Sequence, residues 1–278
     1  MTTVTPPRPT PARPLNVGAL VLQITVIGLI LLTIYGFTTF DTNEVDMGMA
    51  LDMLGSNTQA MFLDPHLSNT TFSKMIDALL ITIGLGFLST VIGAVIALVL
   101  ALGSALNLSP AWLSIIIRAL TAFVRAVPTV LWVLILAVSA GLGSVAAVLG
   151  MTFHSAGYLI KAYSESFEEV DNGTLEALRA CGANWWQVVT QAVIPSSRNE
   201  LISWTFLRFE INFSTAIAMG AAAGAGGIGF DMFMASGFYM NLHEMGAFTY
   251  TILVFALILE LCATQLKSAT QKQGKKFN

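Results

Sequence analysis

The sequence predicts an all-α membrane protein of about six transmembrane helices, and three observations carry that reading. Hydrophobic residues make up 55% of the 278-residue chain and charged residues only 10%, against about a quarter in a soluble domain. Mean hydropathy is +0.74, so lipid must cover much of the surface. Apolar runs of membrane-crossing length recur along the chain, each bounded by polar or helix-breaking residues. The formal net charge of −3 gives no signal for nucleic acid. Two cysteines, Cys181 and Cys262, are too few for a disulfide framework and lack metal-ligand spacing to each other or to a histidine. Both read as small, buried apolar fillers.

Residues 1–14 are rich in Pro and Thr, carry Arg8 and Arg13, and read as a disordered cytoplasmic tail. Residues 15–37 are long enough to cross a core of ~30 Å at ~1.5 Å per residue. That run is too long for the apolar part of a signal peptide and no small-x-small cleavage site follows closely, so it reads as an uncleaved first span. The external loop that follows holds Asp41, Glu44, Asp46, Asp52 and Asp64 against one cation, Lys74. The second span, 75–102, repeats small residues at Gly93, Ala97, Ala101 and Ala105, a ridge that lets another helix backbone approach closely. Asn107-Leu-Ser-Pro110 then breaks the helix.

Residues 111–140 contain Arg118, Arg125 and Pro128. They predict an interfacial first part, whose arginines snorkel to headgroups, and a third span from about Val127. Gly141-Leu-Gly143-Ser144 is a tight turn before the fourth span, 145–163. A long polar stretch, 164–198, precedes the fifth span, 202–220. A Gly/Ala-rich loop and a short amphipathic stretch reach about residue 242, and the sixth span is 245–266. The chain ends in Lys267, Lys272, Lys275 and Lys276. The expected organisation is therefore a tail at 1–14, a first span with its loop at 15–73, a core at 74–268 and a basic tail at 269–278.

An even number of spans puts both termini on one side. Arg8, Arg13, Arg118, Lys161, Arg179, Arg198 and the terminal lysines gather there, leaving Lys74 alone on the other. By the positive-inside rule, the termini and the 164–198 stretch are cytoplasmic.

Within that stretch, Glu176-Ala177 begins a short helix that Gly182 ends by adopting φ > 0. A second helical piece carries Trp185, Val188, Val189 and Ala192 on one apolar stripe, and Pro195 sets the approach to the fifth span. Read alone, this is a helix-turn-helix lying on the membrane surface. The spacing of Glu176-Ala177, Gly182 and Ile194-Pro195 resembles the EAA loop of ABC-importer permeases, departing from it at Leu178 and Ala192, where Ala and Ile are more common. The resemblance implies that residues 174–195 form the coupling helix that docks on a cytoplasmic ABC ATPase dimer. ATP and Mg would then be held by that separate chain, with no cofactor bound by this one. The sequence has no G-x-x-x-x-G-K-[ST] loop of its own.

Further blocks resemble phosphonate-type (PhnE-like) permeases within the type I, MetI-like fold. They are Arg125-Ala-Val-Pro128-Thr-Val-Leu-Trp132, Gly141-Leu-Gly143, His154-Ser-Ala-Gly157-Tyr-Leu-Ile-Lys161 with Glu165, Arg208-Phe-Glu210-Ile-Asn212, and Gly224-Ala-Gly226-Gly227-Ile-Gly229. The resemblance runs from about residue 75 to the end and implies a permease that works as a dimer, identical or diverged, fed by a periplasmic or extracellular binding protein. The substrate it implies is phosphonate, phosphite or phosphate. Ser214 stands where that family has Arg, so the usual i,i+4 partner of Glu210 is missing. The Ala221-Ala-Ala223 stretch is also one residue longer. Both departures suggest a diverged copy, such as half of a heterodimer.

Candidate pathway residues are Arg208, Glu210, Asn212, His154 and Lys161, since charges in a span must face protein or water. Arg208 and Asn212 share a helix face, and a guanidinium is suited to bidentate capture of a phosphonate. A structural ion pair between helices, and a packing role for His154, are the competing readings. Gly224, Gly226, Gly227 and Gly229 mark a candidate outer gate; the G-x-G-x-x-G match there is not a dinucleotide site, because no strand precedes it. No nucleophile–base pair or metal-ligating cluster is legible, so the chain reads as a transport subunit and not an enzyme. The alternatives are a permease for methionine or betaine, or a secondary carrier using Arg208, Glu210 and His154 as a relay.

Overall fold

The structure, a computed structural model, describes residues 17–39 and 46–274. The expected tail at 1–14, Asp41, Glu44 and the side chains of the terminal lysines lie outside the described residues. The chain divides into two compact units, residues 1–55 and 56–278. Residues 56–73 fall in the second of these units.

The first unit holds α1 (Val17–Thr39) and the start of α2 (Met47–Phe62). No residue of α1 is buried, as suits a helix clothed in lipid. Thr25 and Thr33 donate their hydroxyls to the carbonyls of Val21 and Leu29 at 2.9 and 2.8 Å, so neither brings an unpaired polar group into hydrocarbon. The helix α2 lies where the sequence predicts only a loop. Its Asp, Asn and Gln content hides it from a search for apolar runs.

The second unit is a bundle of α3 (Phe72–Ser104), α4 (Ala111–Ala126), α5 (Thr129–Ala140), α6 (Ser144–Glu168), α9 (Ile194–Ala223) and α11 (Leu242–Gly274). Three short elements complete it: α7 (Asn172–Ala180), α8 (Trp185–Val188) and α10 (Ile228–Gly237). Among the described residues, four helices are long and apolar enough to cross a membrane alone: Val17–Thr39, Phe72–Ser104, Ser144–Glu168 and Leu242–Gln265. Two bent pairs bring the number to six if each counts as one span. Ala111–Ala126 meets Thr129–Ala140 at 85°, and Trp185–Ala223 meets Ile228–Gly237 at 50°. The first bend falls at Val127-Pro128, where the sequence expects a change from interfacial to spanning helix.

The small-residue ridge of α3 packs as expected. Ala97, Ala101 and Ala105 are fully buried, and a Cβ at Gly93 would lie 2.8 Å from Ser155 Cβ on α6. Gly86 gives α9 the same access, with Phe213 backbone 3.1 Å from a built Cβ. Leu80, Phe87, Val95 and Val99 on the outer side of α3 are exposed, forming part of an apolar belt that needs lipid. Both cysteines are exposed, against expectation: Cys181 caps α7 and Cys262 sits on the outer face of α11.

Candidate functional site

The 174–195 segment is built as a platform on a buried base. Leu175, Val188, Val189 and Val193 are almost completely buried in a core shared with Leu102, Leu159 and Phe167 of α3 and α6. Helix α7 starts earlier than Glu176, at Asn172, because Asp171 caps it by accepting from Thr174 N–H at 2.8 Å. Its end is a Schellman turn. Gly182, at φ +83°, donates to Arg179 O at 3.0 Å, and Ala183 donates to Leu178 O at 3.1 Å. A capping box between Asn184 and Gln187 then starts α8.

The chain runs helically from Trp185 to Ala223, with a π turn at Val189–Val193. Pro195 explains that turn. Its ring would clash with the carbonyl four residues earlier in a regular helix, and the wider π turn relieves the clash. Pro195 therefore lies within the first turn of α9 and does not interrupt the approach to it. Two bonds fix the platform to the α3–α4 turn: Arg179 Nη2 donates to Asn107 O at 2.9 Å, and Trp185 Nε1 donates to Leu108 O at 2.8 Å. Glu176, Ala177, Gly182 and Pro195 are exposed, Ile194 is half-buried, and Trp186 is 66% exposed.

Among the candidate pathway residues, Arg208 and Asn212 meet in a buried polar node. Asn212 Nδ2 donates to Thr90 Oγ1 on α3 at 2.7 Å and to Ser155 Oγ on α6 at 2.8 Å. Arg208 Nε donates to the same Ser155 Oγ at 3.2 Å, and its guanidinium lies 5.4 Å from the centre of the Tyr158 ring. Three helices thus meet at Asn212, which bonds Thr90 of α3 and Ser155 of α6 from α9. The node ties down the Asn212 amide and one edge of the guanidinium. No carboxylate lies within 4 Å of Arg208 among the described residues.

The other candidates separate. Glu210 is half-buried and has no cation within 4 Å among the described residues, while Ser214 is exposed. Lys161 pairs with Glu165 at 3.5 Å on its own helix. His154 is half-buried, and its Nδ1 has no hydrogen-bond partner among the described residues.

A cavity of about 210 Å³ lies between α4 and α6, lined by Ser104, Arg118, Arg125, Lys161, Ser164 and Glu165. Sequence reasoning assigned Arg118 and Arg125 to headgroups. In the structure Arg118 pairs with Glu168 at the end of α6 and donates through Nε to Ser104 O at 3.1 Å. Glu168 also accepts Leu106 N–H at 2.7 Å. One wall of the cavity is therefore bonded to the same turn that holds the platform. Arg125 pairs with no carboxylate among the described residues and so leaves the cavity one uncompensated charge.

At the opposite end, Gly224, Gly226 and Gly227 form a compact turn between α9 and α10, and Gly229 lies in the first turn of α10. Gly224 is left-handed and ends α9; Gly226 and Gly227 also have positive φ. Ile228 N–H donates to Thr82 Oγ1 of α3 at 3.0 Å, and a Cβ on Gly227 would strike that hydroxyl. A Cβ on Gly229 would overlap the Ile217 carbonyl. Thr90, Ser155, Thr82 and Trp186 were not singled out from sequence. Single hydroxyls in apolar helices and an extra Trp carry no periodic signal.

Comparison with known proteins gives the family. The profile described as "Binding-protein-dependent transport system inner membrane component" matches residues 93–268. The chain is 30% identical over 191 residues to a phosphate-import permease protein, PhnE, of Mycolicibacterium smegmatis, covering 67% of this chain but only 35% of that one. It is 33% identical over 190 residues to the phosphite transport system permease protein PtxC of Stutzerimonas stutzeri, covering 68% of each. Its fold resembles a chain of the inward-facing MetNI methionine ABC transporter, with a TM-score of 0.66 at 20% identity over 73% of this chain and 99% of that one. This multi-pass chain belongs to the family of binding-protein-dependent transport system inner membrane components.

Proposed function

We propose that the chain is the permease subunit of an ATP-driven importer for phosphonate or a related phosphorus oxyanion, with ATP hydrolysis on a separate subunit. The observation that carries this reading is the platform: Glu176, Ala177, Gly182 and Trp186 exposed over a buried base that packs on α3 and α6 and is bonded to the α3–α4 turn. An exposed tryptophan beside a rigid, capped turn suits a partner's groove. The relatives named for phosphate and phosphite, and the cation-lined cavity, support the substrate class.

The mechanism follows from the connections. Closure of a docked ATPase dimer displaces the platform as a rigid body. Trp185 to Ala223 is 39 residues, about 58 Å of lever at 1.5 Å per residue, and it carries Arg208 and Asn212. The same displacement pulls the α3–α4 turn and, through Glu168 and Arg118, the cavity wall. The break at Val127-Pro128 lets α4 move without dragging α5. In this account both termini and the platform are cytoplasmic, the glycine turn faces a binding protein, and a second permease copy supplies the cation for Glu210. The test is uptake into proteoliposomes holding the permease, its ATPase and its binding protein. Phosphonate, phosphite, phosphate and methionine are compared. ATP-dependent accumulation of a phosphorus oxyanion is the expected result; accumulation of methionine alone would overturn the substrate assignment.

A further inference from the structure

Asp64 and His66 lie in the segment between α2 and α3, and His243 is the second residue of α11. Asp64 and His243 are 179 positions apart, so no spacing rule links them. The fold nevertheless brings one ligand atom from each of the three residues within 4.8 Å of the others. His243 Nδ1 lies 2.7 Å from the Asp64 carbonyl oxygen, and His66 Nδ1 lies 3.1 Å from that same oxygen. The Asp64 carboxylate is 3.3 Å from the first nitrogen and 3.7 Å from the second. The two imidazole rings stack with centroids 4.5 Å apart and planes inclined at 34°. Two nitrogens thus converge on one residue that offers both a carboxylate and a carbonyl oxygen.

We propose that Asp64, His66 and His243 form a site for a late first-row transition metal such as Zn²⁺ or Ni²⁺. The ion takes the place of the Nδ1 protons between the rings and Asp64. Each imidazole then carries its proton on Nε2; His66 is well exposed, so that tautomer is readily solvated. Two imidazole nitrogens, a carboxylate oxygen and a carbonyl oxygen suit Zn²⁺ and Ni²⁺ in preference to Mg²⁺ or Ca²⁺. Bond lengths of about 2.0–2.2 Å set ligand atoms about 3.3–3.6 Å apart around a tetrahedral ion, so the side chains must adjust: the 2.7 Å His243 Nδ1–Asp64 O pair opens and the widest pair, within 4.8 Å, closes. Exposure leaves them free to do so, while the backbones beneath are held. The buried Glu244 carboxylate accepts Asn69 N–H at 3.1 Å, Asn69 Nδ2 at 2.9 Å and Thr70 N–H at 2.7 Å. Tyr250 hydroxyl donates to Phe62 O at 2.8 Å. Binding would cross-link the 63–66 segment to the start of α11. The site stands on its own geometry and holds whether or not the substrate assignment is right.

The experiment is calorimetric titration of the chelator-treated, tag-free full chain in detergent with Zn²⁺. The expected result is one ion per chain, with affinity at least tenfold weaker in His66→Gln and His243→Gln and weaker at acid pH, where protons compete for imidazole. Co²⁺ should give the visible absorption of a nitrogen- and oxygen-ligated ion in the wild type and lose it in the double variant. Thermal melts without metal establish that each variant is folded. If His243→Gln fails to fold, the exposed His66→Gln and Asp64→Asn decide the matter. Absence of stoichiometric binding, or binding unchanged in the folded variants, overturns the site.

Discussion

Replacing Gly182 tests the platform at its turn. The residue sits at φ +83°, and nothing lies within 4 Å of a Cβ built on it. The penalty of a substitution is therefore set by the backbone and not by collision. Holding an L-residue in the left-handed region costs about 1–2 kcal/mol, with a β-branched side chain at the upper end. Escaping that region forfeits the two bonds to Arg179 O and Leu178 O, each worth about 0.5–1.5 kcal/mol. Either route gives about 2 kcal/mol for Gly182→Val, roughly a thirtyfold loss of the native turn population at 1.4 kcal/mol per decade. Asn tolerates this conformation, so Gly182→Asn should fall well short of that. The base formed by Leu175, Val188 and Val189 is untouched, so membrane insertion should be unchanged. The assay is ATPase association and transport-coupled hydrolysis in proteoliposomes. Wild-type association for Gly182→Val, or equal damage from Val and Asn, would refute the reasoning.

Gly93→Ala should lower the detergent melting temperature, with overpacking of about 1–3 kcal/mol, because its Cβ would sit 2.8 Å from Ser155 Cβ. An unchanged melt would contradict the tight α3–α6 seam. Arg125→Gln with Lys161→Gln should cut oxyanion uptake while ATPase binding, measured by copurification, stays normal; full uptake would remove the cavity from the pathway. Glu210→Gln should impair permease assembly, whereas Ser214→Arg should be tolerated at its exposed position, both read by size-exclusion of the solubilised complex. Normal assembly of Glu210→Gln would end the case for a cation from a second copy. Asp171 is held below the ordinary carboxylate range by the Thr174 N–H, the Thr174 hydroxyl and the Gly173 N–H. A depressed value means its cap is present above the unfolded carboxylate range and is lost as pH falls through the folded one. Protection of the Thr174 amide from hydrogen exchange should follow that acid titration and vanish in Asp171→Ala.

Much of the fold was legible because lipid demands long uninterrupted apolar runs, and breaks such as Asn107 to Pro110 and Val127-Pro128 stand out against them. The ridge at Gly93, Ala97, Ala101 and Ala105 was legible for the same reason: small residues every fourth position have one packing use. Helix α2 was not legible, since its polar residues satisfy no apolar template. The i,i+4 relation of Arg208 and Asn212 predicted their shared face, but not Ser155 and Thr90, whose hydroxyls pair across helices 57 and 122 positions away from Asn212. The same long-range closure hid the Asp64, His66 and His243 cluster. The Arg118–Glu168 pair was not legible, because the sequence does not place the end of α6 beside α4. The π turn before Pro195 follows from ring sterics, yet a sequence does not say whether a helix will widen or stop there.

The central claim is that residues 174–195 dock on an ATP-hydrolysing subunit. The most direct measurement is site-specific photocrosslinking in native membranes, with the probe at Trp186 and, as a control, at Phe238, which is 67% exposed and lies just beyond α10. The account predicts that the probe at 186 traps a cytoplasmic ATPase, identified by its peptides, and that the probe at 238 does not. No ATPase product from 186, or equal yield from both positions, would contradict it.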